Sequence, residues 1–268
     1  MPKTRISVEL VPRNEQSLLR DADLIRESFP RVDGLNIPDL YRFSMRSWQA
    51  CLLTARHFPR SVPHVRAMDI PLRGTSLVLQ ALEASGLPEV LVVRGDPPRD
   101  LTHNVFPTTT VEAIRRIKRE LPSLKVYAGA DAYRQSLVAE REYIAQKLDA
   151  GADGFFTQPF FDTRLLEIHA EVLSPNAVFW GVAPVLSSAG RAYWESTNNV
   201  HFPSSFDPSL AWNQELARKV LAFAEATATN MYFMPIRVDL ASYFSGIFSG
   251  GSDAGMKAWE GDPADVPL

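Results

Sequence analysis

The chain has 268 residues, 46% of them hydrophobic and 22% charged, with a formal net charge of −3. This is the balance of an ordinary globular protein, long enough to bury a large core without covalent staples, and it offers no overall basic field to attract nucleic acid or anionic lipid. The lone cysteine, Cys51, excludes an intrachain disulfide and suits a reducing compartment.

The opening residues show no basic segment followed by an apolar run, and no stretch approaches the roughly 20 apolar residues that span a bilayer. A cytoplasmic protein without membrane or nucleic-acid partners is expected. Residues 6–11 read as a strand and 15–28 as an amphipathic helix. A weaker strand at 32–37 precedes a helical stretch at 44–57 that holds Cys51 in apolar company. Residues 62–69 are strand-like and 75–85 helical. Residues 89–94, Glu-Val-Leu-Val-Val-Arg, give the strongest buried-strand signal. The helix at 111–120 follows, capped by Thr108, Thr109 or Thr110. Its basic cluster (Arg115, Arg116, Lys118, Arg119) reads as a solvated face.

Strands at 125–128, 154–157 and 178–183 alternate with helices at 136–150 and 163–172. An irregular insertion then leads to a long helix at 208–226, a last strand at 231–234 and a last helix starting at 240–248. Continuous apolar strands alternating with helices predict a parallel sheet covered by helices. Eight such alternations predict an α/β fold closed as a single-domain (β/α)₈ TIM barrel over residues 1–248, followed by a loosely ordered tail at 249–268. An open doubly wound sheet is the competing architecture. The absence of a Gly-x-Gly-x-x-Gly turn after any strand counts against it.

In such a barrel the chemistry sits at strand C-termini. The polar residues there are Glu9, Asn36, His64, Asp69, Arg94-Gly95-Asp96, Thr157-Gln158, Ser187, Arg237 and Asp239, with Asp39 just beyond the second strand. Glu9 stands between Val8 and Leu10, and a carboxyl in a short apolar strand is costly unless paired or functional. His64 fits a satisfied core position equally well, and Asp96 before Pro97-Pro98 is also a turn former. Gln158, before Pro159-Phe160-Phe161, suits recognition of a flat heterocycle. The five histidines lack ligand-spaced partners, so no metal site is expected. No Gly-x-Ser-x-Gly elbow supports a hydrolase.

Several of these segments, in order, resemble the methylenetetrahydrofolate reductase family. They are Ile6-Ser-Val-Glu9-Leu-Val-Pro12, Pro63-His64-Val-Arg-Ala-Met-Asp69 and Leu91-Val-Val-Arg94-Gly95-Asp96-Pro97-Pro98. The block from Lys147-Leu-Asp149-Ala-Gly151-Ala152 through Thr157-Gln158-Pro-Phe-Phe161-Asp162 is the most specific. Gly181-Val-Ala-Pro184 and Tyr232-Phe-Met-Pro-Ile-Arg237 complete the set.

The resemblance implies a barrel that uses FAD, with NADH or NADPH as co-substrate, to reduce 5,10-methylenetetrahydrofolate to 5-methyltetrahydrofolate. It implies Glu9 as the acid that assists opening of the methylene bridge and Asp96 beside flavin and substrate. Gln158, Phe161 and Arg237 would hold the folate. His64, Arg94, Gly95, Asp96, Ala128 and Lys147 would contact FAD.

Two flavin-side segments depart from the family pattern. Leu35-Asn36-Ile37-Pro38-Asp39-Leu40 replaces a Thr-Tyr-Gly-like turn, and the text after Ala128 lacks Tyr-Pro-Glu. Glu140 and Tyr143 stand where the family often has Asp and Asn. Flavin-independent hydride transfer, or a non-reductase folate-binding subunit working with a partner protein, are therefore kept as alternatives. A homo-oligomer or partner subunit is left open.

Overall fold

The computed structural model describes residues 3–96 and 104–248. The Pro97-Pro98 end of the fourth-strand motif and the 249–268 tail lie outside the described residues.

The described residues form eight strands: β1 (Ile6–Glu9), β2 (Gly34–Ile37), β3 (Val62–Arg66), β4 (Glu89–Val93), β5 (Lys125–Ala130), β6 (Gly154–Pro159), β7 (Val178–Val182) and β8 (Asn230–Phe233). Each pairs in parallel with its chain neighbours, and β8 closes on β1 through Ile6–Met231 and Val8–Phe233. The predicted barrel is therefore the observed fold.

The covering helices are α1 (Glu15–Ser28), α2 (Ser47–Thr54), α3 (Leu77–Ser85), α4 (Thr110–Glu120), α5 (Leu137–Asp149), α6 (Thr163–Leu173), α7 (Ser188–Asn198), α8 (Leu210–Ala226) and α9 (Leu240–Phe248). Local chemistry sets their ends. The Asn14 side chain accepts from Ser17 N to start α1. Thr109 and Glu112 form a reciprocal capping box on α4. Gly86 closes α3 in the left-handed conformation, φ 63°.

Four local expectations need correction. The stretch at 62–69 ends as a 3₁₀ turn (Ala67–Asp69) rather than a strand. Strands β5 and β6 run two residues past their expected ends. The insertion after β7 contains a full helix, α7, started by Ser187, whose hydroxyl accepts from Gly190 N, and ended by Asn199 at φ 55°. The basic cluster on α4 is split: Arg115 and Arg119 are exposed, whereas Arg116 is buried and donates to the carbonyls of Pro71 and Gly74 and to Glu120. A cavity of about 470 Å³ on the outer helical face, between α3 and α4, borders this arginine. Cys51 is fully buried, and burial raises its thiol well above the ordinary range.

The barrel interior is layered. At the bottom Arg5 pairs with Glu89 at 2.8 Å, lies over the Phe179 ring and donates to the Tyr127 hydroxyl. Above it, Phe156 stacks on Phe179 with centroids 4.0 Å apart and meets Tyr127 and Tyr232 edge-on. This aromatic layer is the floor of the open end.

Strands β6 and β7 approach closely only because position 181 has no side chain. A Cβ there would lie 2.5 Å from the Thr157 carbonyl oxygen and 2.9 Å from that of Gln158. Both are backbone atoms and cannot swing away. Gly181→Ala should therefore destabilise the barrel by about 1–3 kcal/mol, read as a lowered midpoint in thermal unfolding.

Candidate functional site at the strand ends

Glu9 is the last residue of β1 and its side chain is 17% exposed. The Tyr232 hydroxyl, from the neighbouring β8, donates to its Oε2. His64 of β3 lies on the other side, with Nε2 3.9 Å from the same oxygen. Tyr232 links the carboxyl to the aromatic layer through its edge-on contact with Phe156, and among the described residues no lysine or arginine pairs with it. Burial raises it to about 7, against the Tyr232 bond, which acts in the opposite direction. His64 is buried and its imidazole is pushed down to about 3. Asn36 of β2 meets His64 Nε2 at 3.2 Å and takes a 2.5 Å hydrogen bond from Ser7. The result is an uncharged polar row beside an acid poised near neutrality.

A second network fills the mouth beyond β2 and β3. Arg46 binds Asp39 through both Nε, at 2.9 Å, and Nη2. It reaches Asp69 at 3.4 Å, and Arg66 also lies 3.4 Å from Asp69. Both guanidinium groups lie over the Tyr41 ring, Arg66 at 4.1 Å and Arg46 at 5.0 Å. Asp39 also accepts from Ser47 N at the start of α2. The departure after the second strand is therefore a distinct, charge-balanced construction.

The departure after the fifth strand is filled in the same way. Lys147 comes from α5 with its side chain only 4% exposed. Its Nζ donates to the Gly129 carbonyl at 2.7 Å, lies 3.9 Å from the Tyr143 ring centroid and 4.0 Å from Glu140. Burial lowers this amine to about 8, with Glu140 opposing. Glu140 accepts from Asp131 N and Gln135 Nε2. The Tyr133 hydroxyl donates to the Pro159 carbonyl across the gap between β5 and β6.

The remaining candidates scatter around this centre. Arg94 and Asp96 are exposed past the end of β4, and Gly95 between them has φ 83°. A Cβ at Gly95 would lie 2.9 Å from the Arg66 side chain, so the bare backbone lets that arginine in. Gln158 is exposed near the end of β6, and Arg237 is exposed beyond β8 at φ 53°. Ala128 is fully buried in β5. Phe161, read as a stacking surface for substrate, has its ring packed against Phe202 at 4.7 Å and Trp194 at 5.4 Å.

Tyr232, Ser7 and the Arg46–Arg66 pair were not singled out by sequence reasoning. Tyr232 meets Glu9 only because β8 closes on β1. The available signal was the alternation that puts Ser7 and Glu9 on one strand face. Among the described residues, no cluster of three or more metal-ligating side chains occurs, and no helix is long and apolar enough to cross a membrane.

Comparison with known proteins gives this geometry a lineage. An uncharacterized protein from Clostridium thermocellum that binds two copies of 5-methyl-5,6,7,8-tetrahydrofolic acid superposes with a TM-score of 0.60 at 12% identity, covering 91% of this chain and 93% of that one. Oxaloacetate acetylhydrolase superposes with a TM-score of 0.54 at 15% identity over 87% of this chain and 75% of its own. At these identities the likeness is one of fold.

Methylenetetrahydrofolate reductase 2 of Saccharomyces cerevisiae is 26% identical over 178 residues, 59% of this chain. The match spans only 29% of the yeast protein's length. The family model for methylenetetrahydrofolate reductase matches residues 43–234, most of the barrel. The chain belongs to the methylenetetrahydrofolate reductase family.

Proposed function

We propose that this chain reduces the methylene unit of 5,10-methylenetetrahydrofolate to a methyl group, with NADH or NADPH as hydride donor. The observation that carries the reading is Glu9: a carboxyl held near neutrality at the open end of the barrel, above an apolar floor, in a member of this family. In the reaction, hydride adds to the methylene carbon, the bond from that carbon to N10 breaks, and N10 takes a proton. A general acid serves best when its pKa lies near the working pH. Glu9 supplies that proton. Gln158 and Arg237, exposed on the same rim, are assigned to the pterin and to the acidic tail of the folate, and Asp96 to the reacting centre.

Two of the residues expected to hold FAD, Lys147 and His64, and the barrel mouth beyond β2 and β3 are engaged by contacts within the protein itself. Lys147, expected to meet the cofactor's phosphates, is buried against Glu140, Tyr143 and the Gly129 carbonyl. His64 has its Nε2 engaged by Asn36. The mouth beside β2 and β3 is occupied by the Arg46–Asp39–Asp69–Arg66 network. No step is therefore routed through a flavin, and the dinucleotide is assigned as the direct hydride donor.

The test is oxidation of NAD(P)H by the purified chain with 5,10-methylenetetrahydrofolate, alongside its visible absorption before and after addition of FAD. Folate-dependent oxidation by a colourless protein that retains no FAD is the expected result. Flavin bands that bleach with NAD(P)H and recover with the folate would overturn direct transfer. Folate binding without oxidation under either condition would leave a binding protein and end the reductase reading.

A further inference from the structure

Glu9 can act as an acid near neutral pH only if nothing nearby stabilises its ionised form. The group best placed to do so is His64, whose Nε2 lies 3.9 Å from the carboxyl oxygen. A neutral ring free to carry its proton on Nε2 would donate it to the carboxylate, and that hydrogen bond would favour the ionised form of Glu9. The structure blocks this by hydrogen bonding. The Ser7–Asn36 contact is 2.5 Å, the length of an O–H···O bond and too short for a typical N–H···O bond. The amide oxygen of Asn36 therefore faces Ser7, and its nitrogen faces His64 Nε2 at 3.2 Å. An amide nitrogen only donates, so Nε2 uses its lone pair on Asn36, and the ring carries its proton on Nδ1.

The surroundings of the ring reinforce this. The main-chain oxygen of His64 accepts from Ser47 of α2, and its neighbour in register on β4 is the apolar Leu91. On its own strand Arg66 is turned to Asp69 and Tyr41. From the β2–α2 side, Arg46 and Asp39 pair with one another. From β8 the Tyr232 hydroxyl is bound to Glu9. Glu9 is thus the ionisable group left facing the imidazole.

We propose that Ser7 and Asn36 are positioning residues that lock His64 as the neutral Nδ1–H tautomer and so keep it from donating to, and stabilising, the carboxylate of Glu9. The role assigned to Glu9 rests on the function proposed above, but the lock itself is a statement about His64 and can be read without turnover.

The experiment is NMR of the ring nitrogens of ¹⁵N-histidine-labelled full-length protein between about pH 5 and 8, paired with the pH profile of folate-dependent NAD(P)H oxidation. The native His64 should stay neutral with its proton on Nδ1 throughout. In Asn36→Leu, Nε2 is released toward Glu9. His64 should then stay neutral, because it remains buried, but carry its proton on Nε2 and donate it to the ionised carboxylate, and the alkaline limb of the rate should move down by about one pH unit, a loss of roughly tenfold above the native midpoint. Ser7→Ala, the milder change, should leave the fold intact and give a mixed tautomer population as the amide is freed to flip.

A native ring protonated on Nε2, or charged near neutral pH, would overturn the proposal. So would folded variants whose His64 signals match the native ones. Native-like turnover with an unmoved limb in Asn36→Leu would do the same. A locked neutral ring in a protein without reductase activity would uphold the lock while removing the function it was proposed to serve.

Discussion

Glu9→Gln should lower folate-dependent NAD(P)H oxidation by roughly 100- to 10,000-fold, the range of a lost general acid, with circular dichroism unchanged. The amide keeps the size of the acid and can still accept from the Tyr232 hydroxyl, but it cannot supply a proton to N10. Native activity should fall as pH rises through about 7, where the carboxyl ionises, and the glutamine variant should lose this limb.

The same substitution carries a stability signature of opposite sign. The folded-state value is raised above the ordinary 4.5. The carboxyl therefore costs nothing well below 4.5, and stability is lost as pH rises from there to about 7. Above that range the loss amounts to about 3 kcal/mol at most, at 1.36 kcal/mol per pH unit. Glutamine does not titrate, so the variant should melt at a higher temperature than the native protein at mildly alkaline pH and at a similar one in acid. A variant that loses activity and also melts lower at alkaline pH would show Glu9 to be a structural residue with an ordinary carboxylate. Equal loss of activity at every pH, with the limb retained, would assign the limb to another group.

The barrel was legible in the sequence because its strands are buried on both faces and its helices on one. Residues 15–28 and 163–172 carry the helical period so plainly that the observed α1 and α6 match within a residue. Helix α7 was not legible because it buries little. Trp194 is its one buried side chain, and Ser, Gly and Asn dilute its pattern. Arg116 was misread because composition reports a charge and not where its carbonyl partners lie. Those partners are 42 and 45 residues back in the chain.

Part of the site was legible from chemistry alone. Glu9 inside an apolar strand is costly wherever it goes, so its presence signals a use. Its partner Tyr232 is 223 residues away, and only closure of the barrel brings the two together. The two departures from the family pattern were visible as missing motifs. What replaced them was not: the Arg46–Asp39–Asp69–Arg66 network and the buried Lys147 join side chains across several loops. Lys147 and Glu140 are spaced to share a face of α5, so that pairing was the nearest to readable.

Phe156→Ala should be the most destabilising single change in the interior. The ring is 2% exposed, stacks on Phe179 and meets Tyr127 and Tyr232 edge-on. Truncating a buried phenylalanine costs about 3–5 kcal/mol, because transfer energy is lost and the cavity only partly collapses. At about 2–4 °C per kcal/mol for a domain approaching this size, thermal unfolding should come roughly 6–20 °C earlier.

The same cavity would open beneath Tyr232 and next to the floor of Glu9. An apolar cavity of this kind stays dry unless polar groups can hold a water, and the Tyr232 hydroxyl and the Glu9 carboxyl are two such groups. Water entering there would relieve the burial that raises Glu9. The alkaline limb of the rate should then move from about 7 toward the ordinary 4.5. Phe156→Leu keeps the floor apolar and most of its volume, so it should lose less stability and hold the limb in place. If alanine and leucine lower the melting temperature but neither moves the limb, the aromatic layer supports the fold alone, and the raised carboxyl owes its state to its immediate neighbours on β3 and β8. If alanine alone moves the limb, the stacked rings deep in the barrel set the acidity of the group at its mouth.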